Sequence, residues 1–172
     1  MAEVVVAGAG VAGLATALVL GRDGHRVTLL ERDHTPPPAT ADEAFDWDRR
    51  GAPQVRHSHA FLARLRNLLR DAYPDVLEEL SDAGATELPF LANLPPEFPD
   101  HSTYPGDEDL VALACRRTTF EWVLRRIVTR MPGVTLRDGV SVVGTTATPG
   151  AVPTVTGFVV RSGSGREAIT GD

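Results

Sequence analysis

An α/β fold opening on a βαβ unit is predicted by three features of the sequence. These are an unbroken apolar run at Val4-Val5-Val6-Ala7, a glycine-spaced turn directly after it, and a switch to two-residue periodicity in the last third of the chain. The apolar run has strand length, and a strand apolar at every position suits a parallel sheet covered on both faces. From Gly8 to Arg32 the residues read G-x-G-x-x-G-x-x-x-A-x-x-L-x-x-x-G-x-x-V-x-x-x-E-R, the spacing of a Rossmann-like dinucleotide-binding unit.

Each fixed position has a physical task. Gly8 lets the chain leave the strand in a tight turn, Gly10 lacks the Cβ that would hold a diphosphate away, and Gly13 lets the helix approach the sheet. Gly8, Ala9, Gly10, Val11, Ala12 and Gly13 together form the expected cradle, where unpaired N–H groups and the positive end of the helix dipole meet the phosphates. The helix is predicted over residues 11–22, with Leu14, Ala15, Leu18 and Val19 as its apolar face and Ala17 as a small contact. Gly24 closes it before a second strand at Val27-Thr28-Leu29-Leu30. Glu31 follows, 23 residues beyond Gly8, where an acidic residue accepts hydrogen bonds from the adenosine ribose hydroxyls and repels a 2′-phosphate. FAD or NAD is therefore expected here rather than NADP.

Glu31-Arg32 in place of a lone acid marks a resemblance to the FAD-dependent oxidoreductases of the glutathione-reductase superfamily, most similar to the FAD-binding monooxygenase and geranylgeranyl reductase-like branches. Two further stretches resemble that family: residues 49–59, R-R-G-A-P-Q-V-R-H-S-H, followed by Phe61-Leu62-Ala63-Arg64, and Arg117-Thr118-Thr119-Phe120-Glu121, which opens a later helix. The resemblance implies an FAD-binding domain with a parallel sheet and an antiparallel β-meander, NAD(P)H as electron donor, and a small organic molecule as substrate. It also implies cofactor contacts from Glu31, Arg32 and Arg117, with Arg116 one residue away from the same role, and a loop carrying Arg50, Gly51 and Gln54 near the flavin ring. In the family a Gly-Asp pair starts a strand whose aspartate side reaches the flavin ribityl and diphosphate region, and Gly171-Asp172 matches that pair at the end of this sequence. A carboxyl-terminal domain beyond this FAD-binding portion is expected from the same resemblance, since its members are longer.

One domain over residues 1–172 is expected, made of the βαβ unit at 1–34, a loop and helix insertion at 35–109, and a helix plus meander at 110–172. The proline run from Pro36 and the acidic stretch to Asp48 break both helix and strand. A helix is predicted over 59–72, where Phe61, Leu65, Leu68, Leu69 and Ala72 share one face, and Pro74 ends it. Asp75 is expected to cap a short helix carrying Val76, Leu77 and Leu80, stopped by Gly84. The proline-rich residues 86–109 read as a loop or edge-strand excursion, and 110–115 as a short strand. Thr118 and Glu121 then form a capping box for a helix with Phe120, Leu124, Ile127, Val128 and Met131 on one face, ended by Pro132-Gly133. Short strands at 134–136, 140–143, 155–160 and 168–169 complete one parallel strand and a meander.

Composition narrows the classes further. A net charge of −6 with no basic stripe disfavours nucleic acid and anionic membrane as partners, and no apolar run approaches the ~20 residues of a membrane span. The lone Cys115 cannot form an internal disulfide, so a cytoplasmic protein is expected. His57 and His59 lie two apart but lack a third ligand, and no metal is expected. Ser58, His57 and Asp48 lack the G-x-S-x-G elbow of a hydrolase. No catalytic acid or base can be named. Two other functions fit parts of the sequence: an NAD-dependent dehydrogenase, which the meander disfavours, and a truncated nucleotide-binding module without turnover.

Overall fold

A computed structural model describes residues 1–56, 59 and 61–172. In chain order its elements are β1 (Glu3–Ala7), α1 (Val11–Arg22), β2 (Arg26–Leu30), α2 (Ala63–Ala72), α3 (Pro74–Asp82), β3 (Thr86–Pro89), β4 (Val111–Ala114), α4 (Arg117–Arg130), β5 (Val134–Arg137), β6 (Ser141–Thr148), β7 (Thr154–Ser162) and β8 (Gly165–Thr170). They divide between two compact units. The first comprises Met1–Pro37, Trp47–Pro53 and Leu124–Asp172; the second comprises Pro38–Asp46 and Gln54–Val123.

In the first unit β1, β2 and β5 form a parallel sheet in the order β1-β2-β5, with Val4 opposite Val27 and Val27 opposite Val134. The parallel arrangement follows from α1, which carries the chain back to start β2 on the same side as β1. Burial on both faces describes β2, where Val27, Leu29 and Leu30 are covered, better than β1, whose valines are half-buried at the edge of this sheet. Leu14, Ala17 and Leu18 are the buried residues of α1, whereas Val19, expected on the apolar face, is 40% exposed. Two glycines let α1 lie close to its neighbours. A Cβ at Gly13 would stand 1.9 Å from the Gly8 carbonyl oxygen, and one at Gly21 would stand 2.8 Å from Met131 Cε and 2.9 Å from Val134 Cγ2. The meander β6-β7-β8 is antiparallel throughout, as its period-two sequence predicts. Its Val160 packs with Leu30 and Val140, flanked by Val5, Phe158 and Ile169.

The second unit holds α2, α3, the hairpin-like pair β3–β4 and the first half of α4. The excursion at 86–109 supplies β3, exposed along its length and antiparallel to β4, in keeping with an edge strand. Three sequence expectations are corrected here. The helix predicted over 59–72 starts only at Ala63, because Phe61 is drawn into a β-bridge with Leu113 and stacks its ring on Phe120 at 4.5 Å. Pro74 does more than end α2: it is the first residue of α3, where its fixed φ suits the helix, so Tyr73 takes the cap position and Asp75 lies inside the first turn. The capping box at Thr118 and Glu121 is not formed. The Phe120 N–H donates to the Arg116 carbonyl at 2.9 Å, which starts α4 before Thr118 and leaves Thr118 and Glu121 buried in its first turns. Gly84 and Gly133 do end their helices with positive φ, 92° and 80°.

Candidate functional site

The site is built where β1 hands over to α1. Gly8 turns with φ of 96°, a conformation that costs other residues energy, and its N–H donates to the Leu30 carbonyl at 2.7 Å, fastening the turn to the end of β2. Gly10 occupies the cap position of α1, and neither a side-chain cap nor an acidic residue in the first turn satisfies the helix start. The first-turn N–H groups of a helix have no partner within it, so this end presents donors and a positive dipole to an anion. Nothing lies within 4 Å of the place a Gly10 Cβ would occupy, so the approach to those donors is open.

Glu31 leaves β2 and is 6% exposed. The Ala9 N–H, inside the glycine turn, donates to Glu31 Oε2 at 3.0 Å, and the Asp33 N–H donates to Oε1 at 2.9 Å. Arg49, 4% exposed, joins the two acids: one guanidinium nitrogen donates to Glu31 Oε2 at 3.3 Å and another to Asp33 Oδ2 at 2.9 Å. The Gly51 N–H reaches the same Asp33 oxygen at 2.8 Å. Arg49 thus lies between two carboxylates. An ionised carboxylate has about four lone-pair sites, so Glu31 with these three donors retains one acceptor position. The guanidinium carbons of Arg49 and Arg125 lie over the buried Trp47 ring at 5.0 Å and 5.5 Å from its centroid. A flat aromatic face beneath a guanidinium is an attractive contact that also limits its motion.

The residues expected from the sequence are therefore only partly brought together. Gly8, Ala9, Gly10, Val11, Ala12, Gly13 and Glu31 converge, and Arg32 follows on the exposed side of the chain. Arg117 belongs to the other unit, where its Nη2 lies 3.9 Å from Glu121 Oε2 and its buried Nε has no hydrogen-bond partner among the described residues. Arg116 is exposed, its guanidinium over the Phe45 ring at 4.6 Å. Arg50 is exposed and pairs with Asp48 at 3.2 Å, Gly51 serves Asp33, and Gln54 is exposed. Asp172, of the pair that matches the family's Gly-Asp, sits at the end of β1 away from the glycine turn: Glu3 N–H donates to its carboxylate and its own N–H donates to the Glu3 carbonyl, both at 2.8 Å. His57 and Ser58 lie outside the described residues, and among those described no group of three or more His, Cys, Asp or Glu is placed to hold a metal. No helix among them is long and apolar enough to cross a membrane. Asp33 and Trp47 were not singled out by the sequence. The available signal was an acid two residues beyond Glu31, where alternation along an extended chain returns it to the same side.

Known proteins bear on this geometry. A family model described as DAO, FAD dependent oxidoreductase, matches residues 3–93. Protein Rv3254 of Mycobacterium tuberculosis is 33% identical over 137 residues, covering 76% of this chain and 27% of its own length. Flavin-containing monooxygenase FMO GS-OX2 of Arabidopsis thaliana is 30% identical over 118 residues, covering 64% of this chain and 23% of its own. The chain thus spans about a quarter of the length of these curated relatives. Among solved structures, the OxyS anhydrotetracycline hydroxylase of Streptomyces rimosus superposes with a TM-score of 0.61 at 23% identity, over 98% of this chain and 30% of that one, a likeness of fold. With more than half of its residues matched by the family model, the chain belongs to the FAD dependent oxidoreductase family.

Proposed function

We propose that the first unit holds the adenosine and diphosphate of FAD, and that the protein is a flavin-dependent monooxygenase acting on a small organic molecule, with NAD(P)H as electron donor. The observation that carries this is the Ala9 N–H to Glu31 hydrogen bond, which sets the carboxylate beside an uncapped, open helix start. The residues fit the group. The first turn of α1 would take the diphosphate, Glu31 has an acceptor position left for a ribose hydroxyl, and the bare Gly10 leaves room for close approach. Arg32, next to Glu31, completes the proposed contacts of the first unit as a cation. When bound, FAD would supply the redox chemistry for oxygenating the substrate. The protein's part is to hold and orient: the donors at α1 would fix the phosphates, and the Glu31 carboxylate disfavours a 2′-phosphate by like-charge repulsion. A cytoplasmic setting agrees with the single, unpaired Cys115.

The test is cofactor retention. Purified protein, or apoprotein titrated with FAD, is expected to show the flavin absorption bands and a higher melting temperature, with NAD giving no comparable shift. A colourless protein stabilised by NAD and indifferent to FAD would return the dehydrogenase reading. Anaerobic mixing with NADH and NADPH then tests the donor, since bleaching of the bound flavin is expected from one of them.

A further inference from the structure

We propose that Trp47 and Arg49 are positioning residues that hold the Glu31 carboxylate against the Ala9 N–H, and so set the affinity of the βαβ unit for an adenosine diphosphate with free ribose hydroxyls. The inference rests on the nucleotide-binding reading above and adds a device that neither the glycine turn nor Glu31 provides.

Glu31 is a long side chain on a strand end, and without lateral partners it would have several rotamers from which to choose. A buried carboxylate without compensation is strongly disfavoured, so whichever group neutralises it also chooses its place. Arg49 is that group. Its side chain is 2% exposed, and its planar fork spans Glu31 Oε2 and Asp33 Oδ2 at 3.3 Å and 2.9 Å, which a point-charge lysine cannot do. Asp33 is itself held by the Gly51 N–H, so the loop carrying Arg49 is fastened to the β2 end by its backbone as well as its side chain. The approach there is close: a Cβ at Gly51 would stand 3.1 Å from Asp33 Oδ2.

Trp47 supplies the floor. Its ring is 4% exposed beneath the Arg49 guanidinium, and its indole N–H is buried with no hydrogen-bond partner among the described residues. An unpaired buried donor is unfavourable, so the contribution of this side chain lies in its aromatic face and not in its N–H. A flat ring below and two carboxylates at the edge leave the guanidinium one arrangement. Through it Glu31 also has one, with Oε2 shared between Arg49 and the glycine turn.

The experiment measures ADP and FAD dissociation constants by calorimetry in the full chain and in E31Q, R49M, R49K, W47L, W47F and E31Q/R49M, with melting curves to establish folding. ADP carries the ribose and diphosphate without the flavin ring, so it isolates this end of the cofactor. R49M is expected to weaken ADP about tenfold or more, the loss of a charge-assisted positioning contact, and to add less than about twofold once Glu31 is already Gln. W47L is expected to weaken ADP about threefold, while W47F, which keeps the face and removes the unpaired donor, binds like the parent. If R49M does not fold, R49K and W47L carry the comparison, with R49K expected about fivefold weaker because it loses the fork. Parent-like ADP affinity in R49M, or in both R49K and W47L, overturns the positioning role while leaving the cofactor reading intact, as does an R49M penalty undiminished in the E31Q background. A parent chain that binds neither ADP nor FAD removes the cofactor reading itself, and the positioning role with it.

Discussion

Replacing Gly10 with Ala separates folding from nucleotide binding. The native backbone at Gly10 has φ of −78° and ψ of −175°, an extended conformation open to any residue, and no atom lies within 4 Å of the added Cβ. The folding cost is therefore expected to stay within ~1 kcal/mol, because the preference of a helix cap for Gly over Ala is offset by about 0.4 to 1 kcal/mol from reduced freedom of the unfolded chain. Binding is another matter, because the methyl group stands in the open approach to the α1 donors. Losing one charge-assisted hydrogen bond costs about 1.5 to 3 kcal/mol, or roughly tenfold to more than a hundredfold in affinity. The assay pairs the melting temperature of the nucleotide-free protein with the FAD dissociation constant from flavin fluorescence. Gly13→Ala is the contrast: its Cβ would overlap the Gly8 carbonyl oxygen at 1.9 Å, so backbone must move, and a net loss of about 2 kcal/mol or more is expected despite the ~1 kcal/mol helix preference for Ala. A G10A protein that melts like the parent and still binds FAD with parental affinity would refute the assignment of the diphosphate to this helix end.

Three further outcomes follow from other sites. Thr118 is 1% exposed and its hydroxyl has no hydrogen-bond partner among the described residues, so T118V is expected to hold or raise the melting temperature, by up to about 1 kcal/mol of stability; a clear loss would mean the hydroxyl is satisfied. Gly157 faces β8 with only 2.2 Å between an added Cβ and the Ile169 carbonyl oxygen, so G157A is expected to cost about 2 kcal/mol or more in denaturant melts. Burial pushes the Cys115 thiol up from its ordinary 9.0 to about 11. Its alkylation by iodoacetamide at pH 8 is therefore expected to be slow, and rapid labelling of the folded protein would contradict the raised pKa of this half-buried thiol. The sign of the linkage is fixed: the fold favours the protonated thiol, so this group's contribution is fully present below pH 9 and is lost as pH rises through about 11.

What the sequence revealed was local. The turn at Gly8, the helix at 11–22, the acid at Glu31 and the alternating strands of the meander each announce themselves within a few residues, through backbone freedom or hydrophobic period. What it hid was set by partners far along the chain. Arg49 reaches carboxylates 16 and 18 residues earlier, and no spacing rule distinguishes it from exposed Arg50 beside it. Phe61 belongs to a helical pattern by period, yet pairing with Leu113 outweighs that preference and delays α2. At Thr118 and Glu121 the local capping signal was not used, because α4 starts at Arg117 and both residues are buried in its first turns. Gly21 is a contact surface against Met131 and Val134, which no local spacing reveals.

The two bare positions of α1 have a joint effect on how steadily its amino end is held. Gly13 presses one end of the rod onto the turn from β1, and Gly21 presses the other onto Met131 and Val134. A rod seated at two points cannot slide along its axis or tip without a collision at one of them, since packed interiors resist compression. For a diphosphate bound as proposed, the donors at its tip would therefore keep their height above the sheet, with little reorganisation on binding.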